Sequence, residues 1–417
     1  MIRRRVWGFV KTKEGKAFLE SLASLGILQI ISYLFPLITL PYLTRVIGVE
    51  HFGDLALATA VIMYLQTFVD WGYNYVGVRA VARCREDLGQ VSRIYSEVFW
   101  GRATLALVSL LILGLLVLLL PRLQEIALPL FFRYLVVWGY ILYADWLFQG
   151  LEQMRYMTML NLLANLFCTM MVFVVIREAG DYIYYPLLMS LGFCISGVIA
   201  FVFIIPRKGI RLQRLSLGEI FISLKGAFDT YISQSVGPYY ENLLIPTIDA
   251  YSGGRASGLF DAGNKVVVLA QRLNSSLSRA FYPLLARRIE HHRMVVLVSL
   301  LTSGGIMLGL MLFAPLIVRL LFAPEFADAV LVLRIIGVSL FFTTLTNVYG
   351  VNYLLQVGQE RLLRNITLGV VLIGGAALIP VVSSASWIGA AWLLLGTRTL
   401  EALIVSYTAY QYKRKNV

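Results

Sequence analysis

Apolar residues run in unbroken stretches of 20 or more along this chain, separated by short polar connections. They lie near 20–47, 52–78, 94–120, 126–149, 157–177, 183–205, 221–250, 256–284, 294–322, 328–356, 365–382 and 386–412. A helix needs about 20 apolar residues to cross about 30 Å of hydrocarbon, so the pattern predicts about twelve transmembrane helices. Strands would show alternating segments of about ten residues rather than solid runs. The fold class predicted is therefore all-α and polytopic.

Composition sharpens this. Of 417 residues, 59% are hydrophobic and 14% charged, and the mean hydropathy is +0.77. A soluble chain of this length does not have such values. The net charge of +13 would suggest nucleic acid in a soluble protein, but its distribution points elsewhere. Of the 36 Lys and Arg, 24 fall on the termini and alternate connections, and five (Arg45, Arg122, Arg177, Arg255, Arg319) on the opposite ones. Cytoplasmic loops carry the Lys/Arg excess, so both termini are expected in the cytoplasm. No nucleic-acid partner is expected. The N-terminus is basic, but the first apolar run is long and holds Pro36 and Pro41, unlike a cleavable signal peptide. Cys84, Cys168 and Cys194 suggest neither a disulfide nor a metal site.

The chain also repeats itself. At a constant offset of 205, Ile27 matches Ile232, Gln29 matches Gln234, Pro41 matches Pro246 and Gly48 matches Gly253. Gly53 matches Gly258, Val61 matches Val266, Gln66 matches Gln271 and Arg83 matches Arg288. Parallel repeats related by an axis along the membrane normal are a transporter architecture. Two six-helix lobes are predicted: 1–205 and 221–417, joined by a basic cytoplasmic linker at 206–220. The glycine pairs suit tight outer turns that need positive φ. Pro41 and Pro246 read either as helix-end prolines or as kinks in gating helices.

Seven cations remain inside predicted spans. Lys265, Arg272 and Arg279 are spaced by seven on one helix, so they share a face, widened by Asn264, Gln271, Asn274, Ser275 and Ser278. A lipid-facing helix does not carry such a ladder. It lines a cavity, or it pairs with acids such as Asp229, Glu241 or Asp261. Arg398 and Glu401, three apart, are placed to pair with each other or to face the cavity. Arg102, Arg133 and Arg334 lie toward span ends, where a long side chain can snorkel to the headgroups. Asp70 and Asn74 are read as capping or pairing with Arg79. Glu241, in PYYENLLIP, is either a carboxylate that takes up and releases ions or a fixed partner of Lys265 or Arg272. Tyr33, Tyr73, Tyr75, Tyr239 and Tyr240 are candidate stacking platforms for sugars, against a background of interfacial and packing aromatics. The chain shows no nucleotide-binding loop, no metal-ligand cluster and no extramembrane loop large enough for a catalytic domain.

Three stretches carry a family resemblance: LPYLTRVIGVEHFG at 40–53 with DWGYNYVGVR at 70–79; DWLFQGLEQMRYM at 145–157; and LFAPEFADAVLVLRIIG at 321–337 with NVYGVNYLLQVGQ at 347–359. They resemble the oligosaccharide repeat-unit flippases (Wzx type) of the multidrug/oligosaccharidyl-lipid/polysaccharide exporter superfamily, which includes the MATE transporters. The resemblance implies twelve helices in two lobes. It implies transfer of an undecaprenyl-diphosphate-linked oligosaccharide from the inner to the outer leaflet of a bacterial inner membrane, for O-antigen-like surface polysaccharide. A cationic cavity, an ion gradient (H+ or Na+) in place of a cofactor, and no catalytic activity follow from it. So do a monomeric transport unit and working partners in a polysaccharide polymerase and a chain-length regulator. On this reading Lys265, Arg272, Arg279 and Arg398 bind the cargo, Glu241 and Asp261 couple ions, and Pro41 and Pro246 gate. Three rivals stand beside it: a drug exporter of the same superfamily, which would want an acidic cavity; a peptidoglycan-precursor flippase, a group that typically has two further helices; and a membrane polymerase or ligase, which would want a large external loop.

Overall fold

The computed structural model describes residues 13–287, 292–354 and 357–415; side chains at 13–34, 36, 273, 275–287, 292–295, 352 and 415 lie outside that description. Among the described residues there is no strand. Among these residues eight helices are long and apolar enough to cross a membrane, and the chain is a multi-pass membrane protein.

In chain order the helices are α1 (Lys13–Asp70), α2 (Tyr73–Cys84), α3 (Leu88–Leu119), α4 (Pro121–Glu125), α5 (Ala127–Tyr143), α6 (Asp145–Gly150) and α7 (Met154–Val175). Then come α8 (Tyr184–Val198, extended by a π-helical turn at Ile199–Ile204), α9 (Leu217–Arg287), α10 (His292–Leu321), α11 (Ala329–Thr346, extended likewise at Asn347–Leu354) and α12 (Glu360–Lys415).

Three of these are double. α1 breaks at Gly48 (φ 74, ψ 177) and α9 at Gly253 (φ 78, ψ 176), with nearly identical backbone angles at repeat-related positions. That conformation is open to glycine and strained for other residues. α12 breaks at Ser386 (φ 51, ψ −140), which has no glycine to announce it. The halves are called α1a (13–47) and α1b (49–70), α9a (217–252) and α9b (254–287), α12a (360–385) and α12b (387–415). Neither Pro41 nor Pro246 interrupts its helix; the breaks come seven residues later, at Gly48 and Gly253.

Polar caps fix the other ends. Asp87 opens α3 by accepting hydrogen bonds from Gly89 N (2.9 Å) and Gln90 N (3.0 Å), and Ser216 with Glu219 forms a capping box that opens α9. Leu111 and Leu118 of α3, each 75% exposed, mark a lipid-facing stripe. α9 is different. It packs along α1, and it is absent from the apolar helices found among the described residues. Its exposed positions include Leu217, Phe221 and Ile222, and polar residues on such a helix need a partner or a wet surface rather than lipid.

Candidate functional site

The N-terminal ends of α1b and α9b meet at their glycines. A Cβ on Gly53 would stand 1.8 Å from Gly254 O, and one on Gly258 would stand 2.5 Å from Val49 O. Residues 49 and 254, like 53 and 258, are repeat mates, so the two contacts are images of each other. Small residues allow helix backbones this close. Beside them Arg122 of α4 donates to Asp54 (2.6 Å), to Asp249 (2.8 and 3.2 Å) and to Glu125 (2.8 Å). Hydrogen bonding to Asp249 first, then to Glu125 and Asp54, holds this guanidinium above its usual range despite partial desolvation. Glu325 accepts from Val49 N at 3.3 Å, satisfying an unpaired donor at the start of α1b. The N-terminal and C-terminal halves of the chain are thus tied together at this end.

Deeper in, a cavity of about 290 Å³ opens between α1b and α9a. Gln66, Thr67, Asp70, Asn74, Tyr75 and Tyr140 line it from one side, and Tyr231, Gln234, Ser235 and Asn242 from the other. Aromatic contacts frame it. Tyr64 donates to Tyr239 O at 2.5 Å and their rings stack at 5.0 Å. Trp71 donates to Leu224 O at 2.8 Å and stacks on Tyr231 at 4.4 Å.

Of the proposed sugar platforms, Tyr75 alone opens into this cavity among the described side chains. Tyr73 and Tyr240 are buried, with hydroxyls facing Ser223 and Thr397. Tyr239 is spent on Tyr64 and Tyr231, and the side chain of Tyr33 lies outside the described residues.

The cations on α9b divide. Lys265 is ion-paired to Asp261 one turn earlier and sits 4.3 Å over the Phe52 ring. Its side chain is still 40% exposed, against 9% for Asp261. Arg272 is exposed and has a partner. The side chain of Arg279 lies outside the described residues.

Arg398 does not pair with Glu401. It donates to Glu241 at 2.9 Å and to Ser339 at 2.9 Å, while Glu401 accepts from Thr367 at 2.7 Å. Three residues along α12b turn the two side chains to different neighbours: Arg398 reaches α9a and α11, and Glu401 reaches α12a. Glu241 accordingly pairs with neither Lys265 nor Arg272. A second cavity of about 60 Å³ lies here, bounded by Glu241, Thr367, Thr397, Arg398 and Glu401. Among the described residues no group of His, Cys, Asp and Glu is arranged to hold a metal ion.

The readings of two single cations change. Arg102 does not snorkel: it is 1% exposed and donates to Asp70 at 2.5 Å and Asn74 at 2.9 Å, with its guanidinium 4.8 Å over the Tyr140 ring. Asp70 and Asn74 therefore answer Arg102, not Arg79. Asn74 also donates to Tyr140. Arg133 likewise turns inward, with a buried Nη1 that has no hydrogen-bond partner among the described residues. The sequence does carry a signal for the Arg102 network. Asp70-Trp71 and Asp145-Trp146 are the same dipeptide, and each lies at a helix break with positive φ, at Trp71-Gly72 and at Ala144.

The chain matches the family described as "Polysaccharide biosynthesis protein" over residues 18–289. A relative in Escherichia coli (strain K12), named as a candidate O-antigen transporter, is 28% identical over 384 residues, covering 90% of this chain and 92% of the relative. A like-named protein of Shigella dysenteriae is 30% identical over 256 residues, covering 61% and 64%. Among solved structures, the lipid II flippase MurJ in an inward closed conformation superposes with a TM-score of 0.72 at 15% identity, over 93% of this chain and 87% of that one. An inward-facing multidrug resistance MATE transporter superposes with a TM-score of 0.66 at 14% identity, over 91% and 94%. At these identities the two structures establish a shared fold.

Proposed function

The chain belongs to the polysaccharide biosynthesis protein family, and from that premise we propose that it is a flippase for lipid-linked oligosaccharides: a transporter, not an enzyme, serving surface-polysaccharide assembly of the O-antigen kind. The relatives named for O-antigen transport support this reading. The observation that carries it in the geometry is α9. This helix pair, less apolar than the other spans, packs along α1 and carries Lys265 and Arg272 with exposed side chains.

The cargo is an undecaprenyl-diphosphate-linked oligosaccharide. A bare diphosphate in hydrocarbon faces a large desolvation barrier. Charge-assisted hydrogen bonds from Lys265, Arg272, Arg279 and Arg398 lower it. The lipid tail stays in the bilayer while the headgroup crosses. Twelve helices make this path, the breaks at Gly48, Gly253 and Ser386 each separating two spans. Residues 1–205 and 221–417 form two lobes that rock about the cavity, the 206–220 linker and both termini being cytoplasmic. The membrane is the bacterial inner membrane.

Two cations that would meet the diphosphate already hold carboxylates: Lys265 holds Asp261, and Arg398 holds Glu241. An incoming diphosphate competes for the cations and releases the acids. The freed carboxylates then bind H+ or Na+ as access alternates, so an ion gradient drives the cycle without a cofactor. Pro41 and Pro246 lend the gating helices flexibility near their breaks. The unit works as a monomer and passes its cargo to a polymerase and a chain-length regulator.

Deleting the gene in its native host tests the function. Loss of surface polysaccharide with accumulation of the lipid-linked oligosaccharide, one complete repeat long, is the expected result. Unchanged surface polysaccharide would overturn the proposal.

A further inference from the structure

The repeat that relates the two halves also compares their faces. At the offset of 205, Lys265, Arg272 and Arg279 of α9b correspond to Ala60, Thr67 and Asn74. Where one half carries a cation, the other carries a small or neutral residue at the matching depth. Two of these neutral mates, Thr67 and Asn74, line the 290 Å³ cavity. The amides beside them were kept in both halves: Gln66 matches Gln271, and Gln234 matches Gln29. The cavity wall built by α1b, α2, α5 and α9a is thus polar and carries none of the three α9b cations.

The neutral side has hydrogen-bonding capacity to spare. Gln66, Gln234 and Asn242 line the cavity and make no hydrogen bond to another described residue. Asp70, the acid on this wall, is occupied by Arg102. Unspent amides at membrane depth are costly unless water or a ligand meets them. Each amide offers donors and an acceptor together. A sugar hydroxyl also donates and accepts, so it answers both ends of an amide. A diphosphate only accepts, and would leave every amide oxygen unmatched. Tyr75, 53% exposed, adds a ring face for the apolar side of a sugar.

We propose that this cavity is a sugar-reading subsite, which takes the uncharged sugars nearest the diphosphate while the α9b cations take the diphosphate across the pseudo-axis. Gln66, Gln234 and Asn242 are then specificity-determining residues. Neutral and N-acetylated sugars fit; a uronic acid placed there would face the Asp70 carboxylate. The proposal rests on the flippase reading and deepens it.

The test measures binding to the purified full chain in detergent. Two probes are used: undecaprenyl diphosphate without sugar, and the lipid-linked oligosaccharide extracted from the gene-deleted host. The wild-type protein is expected to bind the sugar-bearing lipid at least tenfold more tightly. The double variant Gln66→Leu/Gln234→Leu should lose that margin while its affinity for the sugar-free lipid stays unchanged, which also reports that it is folded. Arg272→Gln should weaken both lipids. A double variant that keeps the margin, or weakens both lipids alike, would overturn the subsite. So would a wild-type protein that shows no margin. A wild-type protein that binds neither lipid would remove the flippase reading itself.

Discussion

Arg272 carries an exposed side chain on a helix less apolar than the other spans. Replacing it with Ala should abolish export of the lipid-linked oligosaccharide while leaving membrane insertion intact. Replacing it with Lys should keep part of the activity, since the charge remains and the planar fork is lost. Accumulated intermediate per unit of inserted protein measures both, and full export by Arg272→Ala would take the residue out of the mechanism. Arg102 is the opposite case, a buried cation with a structural partner. Arg102→Met leaves Asp70 without its counter-charge and should cost on the order of 3 kcal/mol of stability, read as a lower thermal midpoint in detergent. Adding Asp70→Asn should recover part of the loss. A midpoint unchanged by Arg102→Met would show that the ion pair contributes nothing. The sequence exposed these cations as a set but not their partners. Arg102 meets an acid 32 residues away and Arg398 one 157 residues away. Spacing along one helix, which suggested Glu401 for Arg398, says nothing about which neighbouring helix faces the side chain.

Helices were far more legible than contacts, because each long apolar run must be satisfied within itself to cross a membrane. Repeated Gly48 and Gly253 announced two breaks and appear with matching backbone angles. The break at Ser386 carries no repeated glycine, but the gap between the apolar runs 365–382 and 386–412 marks it; there Ser386 donates to Ser252 at 2.7 Å. The glycine contact between α1b and α9b yields a prediction of its own. Gly53→Ala places a methyl where Gly254 O stands at 1.8 Å, so the two N-terminal ends must part. In a background with Cys84, Cys168 and Cys194 replaced by Ser, a Ser257→Cys reporter is buried when Gly53 is present. It should resist an impermeant maleimide added from outside, and label once Gly53→Ala is introduced. Equal protection in both would mean that the close approach does not seal this end.

For the whole molecule, the charge count along the sequence predicts an orientation: 24 basic residues fall on one set of connections and the termini, and five on the other. A reporter enzyme active only outside the cytoplasm should be active when fused after Gly180 and inactive when fused after Lys208; the reverse pattern would invert the orientation. On the predicted orientation, the ties of Arg122 to Asp54 and Asp249 would lie on the outer side, and the proposed cargo would enter from the cytoplasmic leaflet. Carrying anionic charge outward is then favoured by an inside-negative potential, by about 2.3 kcal/mol per charge per 100 mV. The most direct measurement reconstitutes the purified protein into vesicles that carry the lipid-linked oligosaccharide in one leaflet, and follows its exposure to an impermeant lectin at the other. Exposure much faster than in protein-free vesicles, and slowed to the protein-free rate by Arg272→Ala, is the predicted result. A wild-type rate equal to that of protein-free vesicles would contradict flipping.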